Sequence, residues 1–223
     1  MCIMRKAIIL FLIILSNTGC TTIPFRKVNY VVLDSVDPQL VRQEFILVLP
    51  KRAQVLNSIV FQYRWQSFLA MGYMDINLDE QTFALSCLNP AGIKLFELSG
   101  DRNTIRSEFI LKELLQRGDL PRAVGEDIRR IYFDLAPTKE ARVVKEKYRI
   151  IFREPKGPGI MEYVFAGPQR RLIEKRYSER KRRVWGVFYY EFQAKNGQLY
   201  PARIMLKHYR FGYNLIVHLR EVY

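Results

Sequence analysis

Residues 59–66 read Ile-Val-Phe-Gln-Tyr-Arg-Trp-Gln, with Ile59, Phe61, Tyr63 and Trp65 alternating with Val60, Gln62, Arg64 and Gln66. A period of two is the mark of a strand with one buried face. After Ser67 the apolar set moves to Phe68, Ala70, Met74, Ile76 and Leu78, so Gly72 is expected at a bulge or bend in one long strand.

Strand character continues on both sides. Downstream runs at 82–88, 93–98 and 104–109 are separated by Asn89-Pro90-Ala91-Gly92 and Gly100-Asp101-Arg102-Asn103, both rich in turn formers. Further runs follow at 148–153, 161–165, 171–177, 184–192, 201–209 and 215–222. Upstream, 30–33 and 45–49 read as short strands in a lead-in segment. Between these blocks the period changes: Leu120, Val124, Ile128, Ile131 and Leu135 recur every three or four residues, after Asp119 as N-cap and Pro121 in the first turn. This predicts an amphipathic helix ended before Pro137, with Gly125 as an interior cost and Glu126-Asp127 on its solvent face. A shorter helix is expected at 111–116. About ten antiparallel strands must curl, and the helices belong across the opening.

The N-terminus has its own signature. Arg5 and Lys6 precede the apolar run 7–15, which is too short to span a bilayer and fits a secretory signal. Thr18-Gly19-Cys20 resembles the lipobox of bacterial lipoproteins, which implies a diacylglyceryl group on Cys20 and a mature chain starting there. Asn17 stands where that motif usually has Leu, and cleavage by the ordinary signal peptidase is the competing reading. Thr21 is not the Asp of an inner-membrane retention signal, so the resemblance implies the periplasmic face of the outer membrane.

A net charge of +14 gives the protein a field that attracts phosphates. In an exported protein these belong to an anionic membrane surface, and nucleic acid is not expected as a partner. The charge is densest at Arg170, Arg171, Lys175, Arg176, Arg180, Lys181, Arg182 and Arg183, with only Glu174 and Glu179 between them. Two readings stand: a headgroup-facing basic patch, or a solvated hairpin whose charged edge blocks further pairing. Chemistry is not written into the chain. His208 and His218 are its two histidines, Cys87 is a lone thiol expected in the core, and no nucleophile elbow, phosphate loop or metal-ligand spacing occurs. No catalytic residue, metal or cofactor is expected, and the protein is read as a monomer and not as an enzyme.

The run 88–98, Leu-Asn-Pro-Ala-Gly-Ile-Lys-Leu-Phe-Glu-Leu, the helical insertion after it and the later Pro201-Ala202 together resemble the LolA/LolB lipoprotein-carrier superfamily. A LolB-like group of lipoproteins, DUF3261, is similar through 92–100, 127–137 and Arg-Phe-Gly-Tyr-Asn-Leu at 210–215. The likeness covers roughly residues 50–223 and rests on the order of short motifs.

The resemblance implies a mainly β, α+β fold: a curved antiparallel sheet forming an incomplete barrel under a helical lid. The domain layout is then a signal peptide at 1–19, a lipid anchor, tether and lead-in at 20–50, and a half-barrel at 51–223 with its helical insertion near 110–136. It implies an apolar cavity for acyl chains, with Phe61, Tyr63, Trp65, Phe83, Leu85, Leu95, Val124, Ile128, Ile131, Val187, Tyr189, Leu215 and Val217 as candidate lining residues. Taken singly, each also has ordinary core packing as a competing role. The loop Asn89, Pro90, Ala91, Gly92 is the candidate membrane loop, although Ala91 stands where LolB has a protruding leucine.

The expected function is to bind or transfer a lipoprotein, glycolipid or polyene-lipid in the periplasm, with a periplasmic lipoprotein carrier as a further partner. The alternative is a structural or assembly lipoprotein that holds protein partners. An open interior favours the first, a packed one the second.

Overall fold

The alternation at 59–66 is broken by a turn. In the computed structural model, which describes residues 25, 28–116 and 118–223, β1 (Arg52–Tyr63) and β2 (Gln66–Asn77) form one hairpin. Its register runs unshifted from Arg52 opposite Asn77 to Tyr63 opposite Gln66, leaving Arg64-Trp65 as the turn. The single long strand expected here is therefore two, and Gly72 is not a bulge. A Cβ at Gly72 would lie 2.9 Å from Ile59 Cδ1 and 3.2 Å from Leu85 Cδ1, so the glycine makes room for two core side chains.

Ten more strands extend this hairpin: β3 (Thr82–Leu88), β4 (Lys94–Gly100), β5 (Ile105–Ile110), β6 (Arg142–Glu146), β7 (Arg149–Lys156), β8 (Gly159–Ala166), β9 (Arg171–Glu179), β10 (Arg182–Lys195), β11 (Gln198–His208) and β12 (Tyr213–Val222). They make one antiparallel sheet in the order β5-β4-β3-β2-β1-β12-β11-β10-β9-β8-β7-β6. β1 and β12 pair in the middle; β5 and β6 are free edges. The sheet is curved and unclosed, a half-barrel as expected, with twelve strands where about ten were read. The additions are β6 and the split at Arg64-Trp65.

The lead-in segment departs most from expectation. Of residues 45–49, read as a strand, 45–48 belong to helix α1 (Pro38–Val48) and Leu49 is its extended C-cap. Asp37 caps it by accepting from Gln39 N at 2.9 Å, and Pro38 supplies the fixed φ of a first helical residue. Val41 and Phe45, one turn apart, enter the core, where Phe45 meets the Phe165 ring edge-on at 5.3 Å. Residues 30–33 form no strand; Leu33 N bonds to Lys147 O instead.

The helical insertion is α2 (Lys112–Leu115) and α3 (Leu120–Tyr132), with Asp119 as the N-cap of α3. The core divides into two main clusters. One joins α1 to β7–β12 and includes Ile131; the other joins β1–β4 and includes Ile128. Neighbouring turns of α3 thus fill both halves of the half-barrel, and each such buried residue contributes about 1.5–3 kcal/mol. A small third cluster lies on the opposite face of the sheet, where Phe25 packs on Met205 and Ile216.

Candidate functional site

The interior space beneath the helices is the candidate site. Helix α3 sits across the opening because its apolar stripe must be buried while its ends need polar partners. Gly125, an apparent cost in the sequence, marks the closest approach. A Cβ there would lie 2.3 Å from Ile105 Cδ1, so only glycine lets the helix pack this tightly against β5.

From Asp127 onward the helix is bolted down. Tyr213 Oη donates to Asp127 Oδ1 at 2.8 Å and Oδ2 at 2.7 Å, and Arg130 Nη1 donates to Oδ1 at 2.7 Å. Asp127 is buried and not on the solvent face expected for it; burial pushes its carboxyl pKa up against the pull of Arg130 and Tyr213. Tyr189 Oη donates to Ile131 O at 2.7 Å. Arg129 spans the β4–β5 turn, donating to Asp101 O and Thr104 O, both at 2.7 Å.

Just past the helix, Lys175 Nζ donates to Phe133 O at 2.6 Å, and Asp134 accepts from Gln81, Arg102 and Lys156. Burial opposes the charge on Asp134, but Arg102 and Lys156 hold its pKa at about 2. Residues 133–134 thereby tie β7 and β9 to the β2–β3 and β4–β5 turns across the gap. Among the described residues, no side-chain hydrogen bond ties 120–126 to the sheet. Leu120 and Val124 are held there by partly buried apolar contact alone.

Under this lid lies a narrow cavity of about 40 Å³, bounded by Phe45, Ile131, Leu135, Leu172, Tyr189 and Phe192 among others. That is close to the space of one water molecule, roughly 30 Å³. An acyl chain enters only if α1 or α3 moves. A larger open groove of about 560 Å³ lies where β11 and β12 part beyond Arg203 and His218, between Lys195, Tyr200, Leu219 and Tyr223. Tyr200 borders both spaces.

The sequence candidates scatter around this site. Ile131 and Tyr189 border the cavity. Phe83, Leu85, Leu95, Val124 and Ile128 pack in the β1–β4 cluster, and Val187, Leu215 and Val217 in the other. Phe61 and Tyr63 stand half-exposed near the turn end of β1, whereas Trp65 is on the turn and 85% exposed, off the strand face expected for it. The residues the sequence reading missed are Phe45, Leu172, Phe192 and the bolts Asp127, Tyr213 and Lys175; the apolar spacing Val41-Phe45 is the one signal that pointed to any of them.

The basic run is not one patch. Arg170 pairs with Glu44 at 3.2 Å at the opposite end of β9 from Arg180. Arg176 pairs with Glu162 and, at 3.3 Å, with Glu174. Arg171 is partly buried, and Lys175 is inside the half-barrel, where burial lowers its pKa to about 7. Arg180, Lys181, Arg182 and Arg183 remain exposed together at the β9–β10 turn. In the β3–β4 turn Asn89 Oδ1 accepts from Ala91 N and Ile93 N, and the large exposed side chain there is Ile93.

Cys87 is buried, and burial pushes its thiol up to about 12. His208 is stacked between Phe211 and Tyr213, and burial lowers its pKa to about 4. Among the described residues no group of His, Cys, Asp and Glu is placed to hold a metal ion, and no helix is long and apolar enough to cross a membrane. Cys20 and the segment around it lie outside the described residues.

Comparison with known proteins agrees with this architecture. The profile of a family described as a protein of unknown function, DUF3261, matches residues 52–221. Among solved structures, a LolA superfamily protein from Nitrosomonas europaea superposes with a TM-score of 0.54 at 11% identity, over 84% of this chain and 93% of that one. A putative outer membrane lipoprotein-sorting protein domain from Vibrio parahaemolyticus gives 0.50 at 7% identity, over 82% and 90%. A DUF1329 family protein from Desulfovibrio piger gives 0.51 at 10% identity, over 82% and 89%. At these identities the likeness is one of fold. No curated protein matches in sequence.

Proposed function

The chain belongs to the DUF3261 family, and on that premise we propose that it is a non-catalytic lipoprotein that binds or passes on an acylated molecule in the periplasm. In this reading Cys20 carries the lipid that holds the protein to the outer membrane, and a periplasmic lipoprotein carrier is a candidate donor. The observation that carries the proposal is the asymmetric lid. The cavity lining is apolar, and the helix over it is bolted at its C-terminal half and held by apolar contact alone at its N-terminal half. Of α3 only Ile131 and Tyr132 border this cavity, so swinging the free half outward would part the β1–β4 core beneath Leu120 and Val124, beside the cavity, without breaking the hydrogen bonds that tie the two arms of the sheet together. Acyl chains suit such a space because each buried CH₂ gains about 0.8 kcal/mol and no polar group is stranded.

The small closed volume favours a second reading, in which side chains fill the interior permanently and the scaffold holds protein partners. A disulfide decides between them. A Cβ at 125 would lie 2.7 Å from Ile105 Cγ1 and 3.4 Å from Cγ2. Ile105 Cβ is bonded to both of these atoms and lies beyond them, near the Cβ–Cβ separation of about 3.8 Å in a disulfide. Native mass spectrometry of the Ile105→Cys/Gly125→Cys protein is expected to show copurified or added lipid when reduced and none when oxidised before exposure. Absence of lipid from both the reduced variant and the unsubstituted protein would sink the carrier reading in favour of the second.

A further inference from the structure

The two ends of the sheet differ in chemistry. At one end the turns at 64–65, 89–93, 180–181 and 209–212 follow one another along the sheet, because they join β1–β2, β3–β4, β9–β10 and β11–β12. They contain Arg64, Arg180, Lys181 and Arg210 and no acidic residue. They also hold Trp65, Phe211 and Ile93 out in solvent, at 85%, 63% and 55% exposure, with Leu69 of β2 exposed close behind. At the other end the turns at 78–81, 101–104, 147–148, 167–170 and 196–197 mix Asp79, Glu80 and Asp101 with Arg102, Lys147 and Arg170, and their one large exposed apolar side chain is Tyr148 at 43%. Ordinary surface statistics leave large apolar groups scattered and singly exposed; here the most exposed of those on the hairpin turns stand at one end with the cations.

Backbone geometry points the same way. Arg64, Arg180 and Lys181 occupy φ values of 53°, 47° and 64°, the left-handed region. Two-residue hairpin turns of this kind favour Asn-Gly, which is the pair the chain uses at Asn196-Gly197 on the other end. At the basic end the positions most suited to Asn and Gly hold long cations instead. The acid nearest them, Glu179, is already paired with Arg210 at 2.5 Å, and Arg183 lies over the Tyr209 ring at 5.6 Å, joining two of the turns.

We infer that this end of the half-barrel docks on an anionic bilayer, with Trp65 and Phe211 seated at the level of the headgroups and the tip cations on lipid phosphates. Trp is the side chain best suited to that depth, having an apolar body and one polar N–H. The β3–β4 turn takes part through Ile93, not through Ala91. The inference rests on the envelope location proposed above and is independent of what the interior binds.

Trp65 and Trp185 are the only tryptophans, and Trp185 is buried, so Trp65 reports on itself. The test places the full-length chain on vesicles of phosphatidylglycerol and phosphatidylcholine with brominated acyl chains. Expected are quenching and a blue shift of Trp65 emission that grow with the phosphatidylglycerol fraction, fall with added salt, and vanish in Trp65→Phe. R180N/K181G keeps turn-compatible residues while removing two charges, and is expected to weaken docking by about thirtyfold. Phe211→Ser is expected to weaken it further. Emission that stays unshifted, and equally open to aqueous iodide with and without vesicles, would overturn the inference and leave the patch to a protein partner. Lipid copurification in the native spectra is unaffected by either result.

Discussion

Lys175 Nζ lies 2.6 Å from the main-chain oxygen of Phe133, inside the half-barrel and 1% exposed, so the lid's C-terminal end hangs from a buried amine. The pair spans from β9 to the residue that ends α3. Burial, opposed by Asp134 and aided by Lys156, brings the amine's pKa from 10.5 down to about 7. The folded protein therefore binds fewer protons at this site than the unfolded chain between about pH 7 and pH 10.5. Stability must rise with pH across that window. The expected gain is about 2 kcal/mol from pH 7 to pH 9, obtained from urea unfolding at each pH, and Lys175→Met is expected to flatten the slope.

Gly125 makes a prediction with a change of sign. Gly125→Ala is expected to destabilise the protein by about 1–2 kcal/mol, because the new methyl meets Ile105 Cδ1 at 2.3 Å. In an Ile105→Ala background the same change is expected to stabilise by about 1 kcal/mol through helix propensity. A double-mutant cycle by chemical denaturation measures both. Equal effects in the two backgrounds would remove the close approach as the reason for the glycine.

The Tyr213–Asp127 contact is a buried bond to a carboxylate. Tyr213→Phe is expected to cost about 2 kcal/mol, since one of the two groups satisfying Asp127 is lost. If the lid opens about this region, exchange of a fluorescent fatty acid in the variant becomes faster as well. A stability loss without faster exchange would show that the bolt has no part in opening.

Cys87 is expected to be inert. With its thiol pushed up to about 12 by burial, it is almost wholly protonated at neutral pH and shielded by the sheet. Iodoacetamide followed by peptide mass spectrometry is expected to leave residue 87 unlabelled in the native protein and labelled in urea.

Much of the half-barrel is legible in the chain, because its determinants are local. Helix α3 follows from Asp119, Pro121 and the spacing of Leu120, Val124, Ile128 and Ile131. Most hairpins announce themselves through Asn, Gly or Pro. The Arg64-Trp65 turn is invisible for a physical reason: it carries none of those residues, and Trp65 preserves the parity of the strand before it. Helix α1 is hidden because the β-favouring run Phe45-Ile46-Leu47-Val48 outweighs the quieter cue of Asp37-Pro38 followed by Val41 and Phe45. The bolts of the lid join residues 86 and 42 positions apart, Asp127 to Tyr213 and Phe133 to Lys175. No periodicity encodes such pairs; only the curl of the sheet brings them together.

The pairing of β1 with β12 also sets when the fold can be completed. One is the first strand of the sheet in sequence and the other the last, yet they are neighbours at the centre of the sheet. Until β12 has been made, β5–β1 and β11–β6 are two meanders with no ladder between them. Long-range closure of this kind is slow and late. Loss of the C-terminal strand would therefore not fray an edge. It would divide the sheet down its middle and leave α3 with two half-cores to fill.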